Sequence, residues 1–519
     1  MLTLVACGGD GTDEAEPQPG GSLTFAVSAD APGFDPVSDG ASFSGQTFTM
    51  VRTIIEPIVA LDENSDWRPF LAESVEPDKD ATEWTIKVRE GITFSNGDPL
   101  DAEVVVANLD AHIESPVNAA TLSAVESVKA ADAMTVVVRL SEPWATFPYY
   151  LTGTPGLVVP LSSLDNPEKA SDAPIGTGPF LFDGHRQGSS MKVKKNPGYW
   201  RADKGLPHLD EIEFRIVPDG PQRTLALQAN DVDGMSTRDP QDVVKFDDPA
   251  YTTTRVKGMA VTEGLFFLNT ANKKLADAGL RRALARATDQ KAFVDTLRGG
   301  LTRPATGPWA KDTPWYTETD YPTYDLDAAK KAVSEYEAKN GPVELSLMTL
   351  ADPSAAQSGQ LLQDMWSKAG VDLKLDQTDQ ATLVERLITG DYDLSGAYEF
   401  GAADPDMDRL LLHSSGVTPL GEISTAITRL KDPELDTALD AGRATTDKEE
   451  RVKAYATVQE RLAELVPIIW LDHANASGII TSSKVHGVGE GVLPTGQKEA
   501  GPFGSPSPSL SFADVWIEN

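Results

Sequence analysis

A chain of 519 residues is too long for one hydrophobic core and is expected to divide into two or three domains. Its 79 acidic against 45 basic residues give a net charge of −34, which opposes phosphate backbones and argues against a nucleic-acid partner. The single cysteine, Cys7, excludes an internal disulfide and any multi-cysteine metal site, and no apolar run is long enough to span a membrane.

The first feature along the chain is Leu4-Val5-Ala6-Cys7-Gly8, which resembles a bacterial lipobox, where the cysteine is lipidated and becomes the mature N-terminus. The basic and most of the apolar part of a full signal are missing from it. Residues 8–21 are rich in Gly, Asp, Glu and Pro, a composition suited to a flexible tether. Leader and tether together are the layout of an exported lipoprotein, anchored through Cys7 outside the cytoplasmic membrane while its body stays in water.

Leu23, Phe25 and Val27 alternate with polar neighbours and predict a first strand over 22–28. A turn-rich stretch with Pro32 and Pro36 follows, and residues 47–55 read as a helix ending near Pro57. Trp84, Ile86 and Val88 mark another strand, and Asn96-Gly97 a tight turn. Asp101 is placed to cap a helix bearing Val105, Leu109 and Ile113.

Between 343 and 409 the period alternates. Val343, Leu345 and Leu347 predict a strand, and Leu361, Leu362, Met365, Trp366 and Ala369 a helical stripe closed by Gly370. Val371, Leu373 and Leu375 predict a second strand, then Asp379 caps a helix with Leu383, Leu387 and Ile388. Tyr392, Leu394 and Tyr398 mark a third strand. Strand and helix in this order read as a parallel, doubly wound α/β sheet, which holds ligands beyond the carboxyl ends of its strands. The third strand runs into residues 399–406, small, aromatic and acidic, which are therefore expected to form one wall of a binding site. From 489 to 511 Gly, Pro and Ser predict a loop, and 512–517 an edge strand.

Residues for catalysis are missing. His112, His185, His208, His413, His473 and His486 show no metal-ligand spacing, and there is no G-x-S-x-G elbow. The run Gly487-Val488-Gly489-Glu490-Gly491 lacks the helix that would present amides to a phosphate. Only His473, beside Trp470 and Asp472, stands as a candidate for ligand contact, with a packed crossing segment as the alternative. No catalytic residue, metal or cofactor is implied.

The stretches Leu71-Ala72-Glu73-Ser74 and 83–105, together with Pro174-Ile175-Gly176-Thr177-Gly178-Pro179-Phe180 and Asn196-Pro197-Gly198-Tyr199-Trp200, resemble signatures of family 5 extracellular solute-binding proteins, the peptide and nickel receptors of ABC importers. Similar segments continue through 225–234, 265–269, 280–300, 433–436 and 448–471, so the resemblance covers roughly 21–488. It implies a type II periplasmic-binding-protein-like α/β fold, with two hinged lobes and an α+β subdomain on the first. The implied boundaries are leader and tether 1–21, lobe I 22–46 with 176–264 and 475–519, subdomain 47–175, and lobe II 265–474.

The function implied is capture of a peptide or other small solute between the lobes and delivery to an ABC permease, by a monomer touching the membrane through its lipid alone. Hinge closure would bury the ligand, and the expected contacts are Phe34, Phe43, Pro308, Trp309, Phe400, Ala402, Ala403, Asp404, Trp470 and Asp472. One departure matters. In the family's W-x-x-D-x-x-D-P-D loop an acid pairs with the peptide's α-ammonium, yet Phe400 stands at the Trp and Ala403 at that acid. Asp404 is the substitute if the loop shifts; otherwise blocked peptides, sugars, opines or metal chelates are the ligands. A signalling or chaperone-like binder on the same fold is the other class of function, and a hydrolase is disfavoured.

Overall fold

The computed structural model describes residues 16–40, 45–115, 118–237, 239–255, 262–351, 353–397, 404–474, 478–500 and 510–518. Ser22–Val27 forms the expected first strand, with Leu23, Phe25 and Val27 facing one core and Ala26 another. It is the middle of a seven-stranded sheet, parallel to Glu211–Ile216 on one side and Gly234–Thr237 on the other. Antiparallel strands Ser190–Lys195 and Phe180–Arg186 complete one edge, Gly478–Ser482 and Tyr251–Arg255 the other. This sheet and its covering helices are termed lobe I below.

A six-stranded sheet carries lobe II. Glu344–Leu350 lies parallel to Asp372–Thr378 and to Leu394–Ala397, linked by helices Pro353–Ser367 and Gln380–Thr389, as the alternating periods predict. Asp379 accepts from the Thr382 amide at the start of the second helix. The whole sheet is mixed, however. Thr262–Leu268 is antiparallel to Leu394–Ala397 and to Ile468–Ala474, because the chain enters and leaves lobe II at one end, so its entering and leaving strands run oppositely. Arg255 ends a strand of the first sheet and Thr262 begins one of the second, and Ala474 and Gly478 mark the return; these two junctions are termed the crossings. Strands Leu394–Ala397 and Ile468–Ala474 both point towards these crossings, and the turn Pro405–Asp408 packs against a third unit, the subdomain.

The subdomain has an antiparallel sheet, Ala72–Pro77, Glu83–Val88, Thr135–Leu140 and Val125–Ala130, under helix Ala102–Glu114. The Asp101 carboxylate accepts from the Val104 amide, satisfying one of the donors a helix start leaves open. Trp84, Ile86 and Val88 point into a core of their own, shared with Trp144, Phe147 and Tyr150. Two glycines seat this unit on lobe I. A Cβ on Gly176 would lie 2.0 Å from the Ile54 carbonyl oxygen, and one on Gly178 2.6 Å from it, so only a hydrogen fits. Beside them Glu56 is buried, accepting from Thr177 Oγ1 and Trp200 Nε1 through Oε2 and from the Tyr199 hydroxyl through Oε1, each at 2.8 Å.

The tail is more ordered than its composition suggests over the part described. Val492 bridges to Lys498, and Trp516–Ile517 pairs with Val485–His486 as a two-residue edge ladder.

Candidate functional site

The site grows out of helix Lys448–Leu465. Asp447 caps it by accepting from the Glu449 and Glu450 amides, and Val466 ends it in the left-handed region at φ 46°. Positions four apart share a helical face, so Arg451 and Tyr455 emerge together, and both are buried. The Arg451 guanidinium lies 4.8 Å from the Trp315 ring centre and 5.5 Å from that of Tyr455. Tyr455 in turn packs edge-on against both Trp309 and Trp315, each at 5.5 Å between centroids.

Arg451 donates from Nη2 to Asp404 Oδ1 at 2.5 Å and from Nε to the Gly442 carbonyl. Asp404 also caps the short turn Pro405–Asp408 by accepting from the Asp406 amide. Burial pushes the Asp404 carboxyl up, with Arg451 pulling against that shift. Burial opposes charge on Arg451 too, but the carboxylate outweighs it and the guanidinium is held above its ordinary value. The pair is thus an internal ion pair, with a net worth far below its bare Coulomb attraction.

The subdomain closes over this turn. Trp144 Nε1 and Thr146 Oγ1 donate to Asp406 Oδ2 at 3.0 and 2.6 Å, and the Tyr150 hydroxyl donates to the Asp406 carbonyl at 2.9 Å. The Ala145 amide donates to the Arg443 carbonyl at 2.9 Å, and the Arg443 guanidinium sits 3.8 Å from the centre of the Trp144 ring. Met407 packs onto the subdomain core. Tyr149, next in the same segment, feels Asp404, Arg451 and Asp66 together, and its phenol is raised, first by burial and then by Asp404. It also borders a groove of about 440 Å³ with Asp66, Trp67, Glu73 and Glu76 on its walls. That volume is within the range of small-molecule sites.

Of the residues named from sequence, Trp309 and Asp404 meet in this constellation. Phe34 is in the lobe I core, edge-on to His185 at 5.0 Å. Trp470 is buried within Ile468–Ala474, with Leu265 opposite it. Asp472, two residues on, is buried over Gly264 and takes Arg298 Nε at 3.3 Å. His473 pairs with Arg303 across the ladder, and burial followed by Arg303 lowers its imidazole to about 4. Cys7, Phe43, Phe400, Ala402 and Ala403 lie outside the described residues. Among the described residues no group of three metal-ligating side chains comes together, and no helix is long and apolar enough to cross a membrane.

Sequence reasoning missed Trp144, Thr146, Tyr149, Tyr150, Trp315, Arg443, Arg451 and Tyr455. One signal was present: an arginine and a tyrosine four apart on the buried face of a helix otherwise rich in Glu and Lys.

The fold and the site together present two α/β sheets, with a polar, aromatic-lined seam where lobe II meets the subdomain. The family of bacterial extracellular solute-binding proteins, family 5 Middle, matches residues 66–419. The chain therefore belongs to family 5 of the bacterial extracellular solute-binding proteins, whose members work outside the cytoplasm, and its fold is of the type II periplasmic-binding kind. It is similar to di/tripeptide-binding protein 2 of Pseudomonas aeruginosa (strain UCBPP-PA14), 26% identical over 506 residues, 91% of this chain and 92% of that one. Protein XP55 of Streptomyces lividans is 30% identical over 441 residues, 81% and 78% of the two chains. The structure of the PBP AgaA in complex with agropinic acid, from A. tumefaciens R10, matches with a TM-score of 0.82 at 26% identity, over 96% of this chain and 99% of that one.

Proposed function

We propose that the protein is the receptor of an ABC importer, closing its lobes on a small peptide-like solute and presenting it unaltered to the permease. Family membership over 66–419 carries this reading, and the name of the Pseudomonas relative supports a di- or tripeptide as the first class to test. Closure would turn lobe II, 265–474, against lobe I, 22–46 with 176–264 and 475–519, and the subdomain 47–175, with hinges at the two crossings. Trp309, Asp404 and the loop carrying Phe400, Ala402 and Ala403 form the lobe II wall in this proposal. Phe34 and Phe43 lie on the lobe I side, and Trp470 and Asp472 beside the return crossing. The protein acts as a monomer and is not an enzyme. Cys7 carries a lipid that anchors the chain to the outer face of the cytoplasmic membrane, with residues 1–21 as leader and tether.

A second reading has its own support. Asp404 already accepts from Arg451, so its charge is balanced within the protein. A bound ammonium would have to share that carboxylate with Arg451, which favours solutes without a free α-amine, and the similar AgaA was solved in complex with agropinic acid. Native mass spectrometry of solute carried through purification, followed by calorimetry with Ala-Ala, Ala-Ala-Ala and agropinic acid, separates the two. Binding of the peptides alone upholds the first reading, and binding of agropinic acid alone the second. If no solute is retained and none of the three binds, the receptor proposal fails for these classes.

A further inference from the structure

Asp406 sits where lobe II meets the subdomain, fully buried, and its carboxylate takes both of its donors on Oδ2 from the other side of the seam. Trp144 and Thr146 supply those donors, Tyr150 bonds the backbone carbonyl of the same residue, and Ala145 reaches the Arg443 carbonyl. Arg443 then covers the outer face of the Trp144 ring. Every one of these bonds runs between residues 144–150 and a lobe II segment more than 250 positions away in the chain. The subdomain's other attachments, to lobe I, are of a different kind: the Gly176 and Gly178 backbones are wedged against Ile54, and Glu56 is enclosed by three donors. If lobe II swings as a receptor requires, the subdomain therefore stays with lobe I, and the Asp406 cluster is what must part.

We propose that Asp406, Thr146 and Trp144 form a ligand-independent latch that holds the lobes closed, so that release of this seam, and not the solute alone, sets how far the empty protein opens. Partial closure without ligand follows from its composition: the bonds are protein to protein, and a charge-assisted hydrogen bond shielded from water is among the stronger ones available. The latch sets the apparent affinity for any solute, because a solute that must enter an open form binds in proportion to the fraction of protein that is open. This inference rests on the receptor reading, through the hinge, but not on which solute is bound.

The test needs no ligand. Spin labels are placed at the exposed positions Lys129 of the subdomain and Glu460 of lobe II, in the full chain with Cys7→Ser, and their separation is measured by pulsed electron resonance. Asp406→Asn weakens the latch from lobe II; Thr146→Val removes one donor from the subdomain and leaves the 404–408 turn intact. Each variant is expected to move population to a longer distance, raising the open-to-closed ratio roughly tenfold. The double variant is expected to fall short of the two shifts added together, since the two residues share one bond. Distributions that superimpose on the parent's overturn the latch. So does a shift in Asp406→Asn alone, which would place the effect in the turn. Failure here leaves solute binding untouched, and failure of every solute to bind leaves these distances unaltered.

Discussion

Two buried acids join the subdomain to its neighbours, and their settings differ although their chemistry is alike. Glu56, towards lobe I, accepts three bonds from 177–200 and is backed by glycines pressed on the Ile54 carbonyl and by the Arg52–Glu499 ion pair at 3.1 Å. Asp406, towards lobe II, accepts two side-chain bonds, and the backbone there is joined by single bonds rather than wedged. A carboxylate surrounded by close-packed main chain is a weld. The same group at the meeting of two independently cored units is a joint that can part. What separates them is the steric setting of the backbone, not the count of hydrogen bonds.

The largest expected effect comes from breaking the weld. Glu56→Ala strands the Thr177, Tyr199 and Trp200 donors in a dry interior, at about 1–3 kcal/mol for each left unpaired, so a total of several kcal/mol is expected in urea titration. A change below about 1 kcal/mol would mean that the acid is not what fixes the subdomain. Next is the lobe II wall. Arg451→Met leaves Asp404 buried without its partner, at a cost of about 3–5 kcal/mol, and adding Asp404→Asn is expected to restore most of it. A double variant as unstable as the single one would show that Arg451 acts through packing on Trp315 and Tyr455 instead. Gly178→Ala should cost about 1–3 kcal/mol, because its Cβ would meet backbone that cannot turn aside, whereas the same change at the open Gly188 in a hairpin tests only its positive φ of 70°.

The last expected effect is a pH dependence. Burial pushes the Glu499 carboxyl up to about 7 from its ordinary 4.5, with Arg52 opposing and Asp514 adding to the shift. Between those values the folded chain keeps a proton that the unfolded chain has released. The contribution is therefore complete below pH 4.5 and is lost as the pH rises to about 7. Melting temperatures of Glu499→Gln are expected to lack this slope, while one as steep as the parent's would place it on another group.

Local periodicity carried most of the fold. The strand at 22–27, the Asp101-capped helix and the parallel unit from 344 to 397 all follow from which side chains recur on one face. The mixed character of the lobe II sheet did not, since strand direction across 200 residues is set by where the chain enters and leaves. The site was less legible for the same reason. Asp404 and Trp309 could be reached from a loop motif and an aromatic, but Trp144, Thr146 and Arg451 gain their meaning from partners 47 to 262 positions away. Phe34 shows the converse limit, because nothing in its turn-rich stretch announces its packing against Phe182 and His185.

Small-angle X-ray scattering of the protein stripped of solute by partial unfolding and refolding, then with the solute returned, probes lobe closure most directly. A radius of gyration that falls on adding solute, and stays high when an unrelated solute is added, is the expected outcome. An identical scattering curve in all three states, from protein shown by calorimetry to bind, would contradict capture by moving lobes.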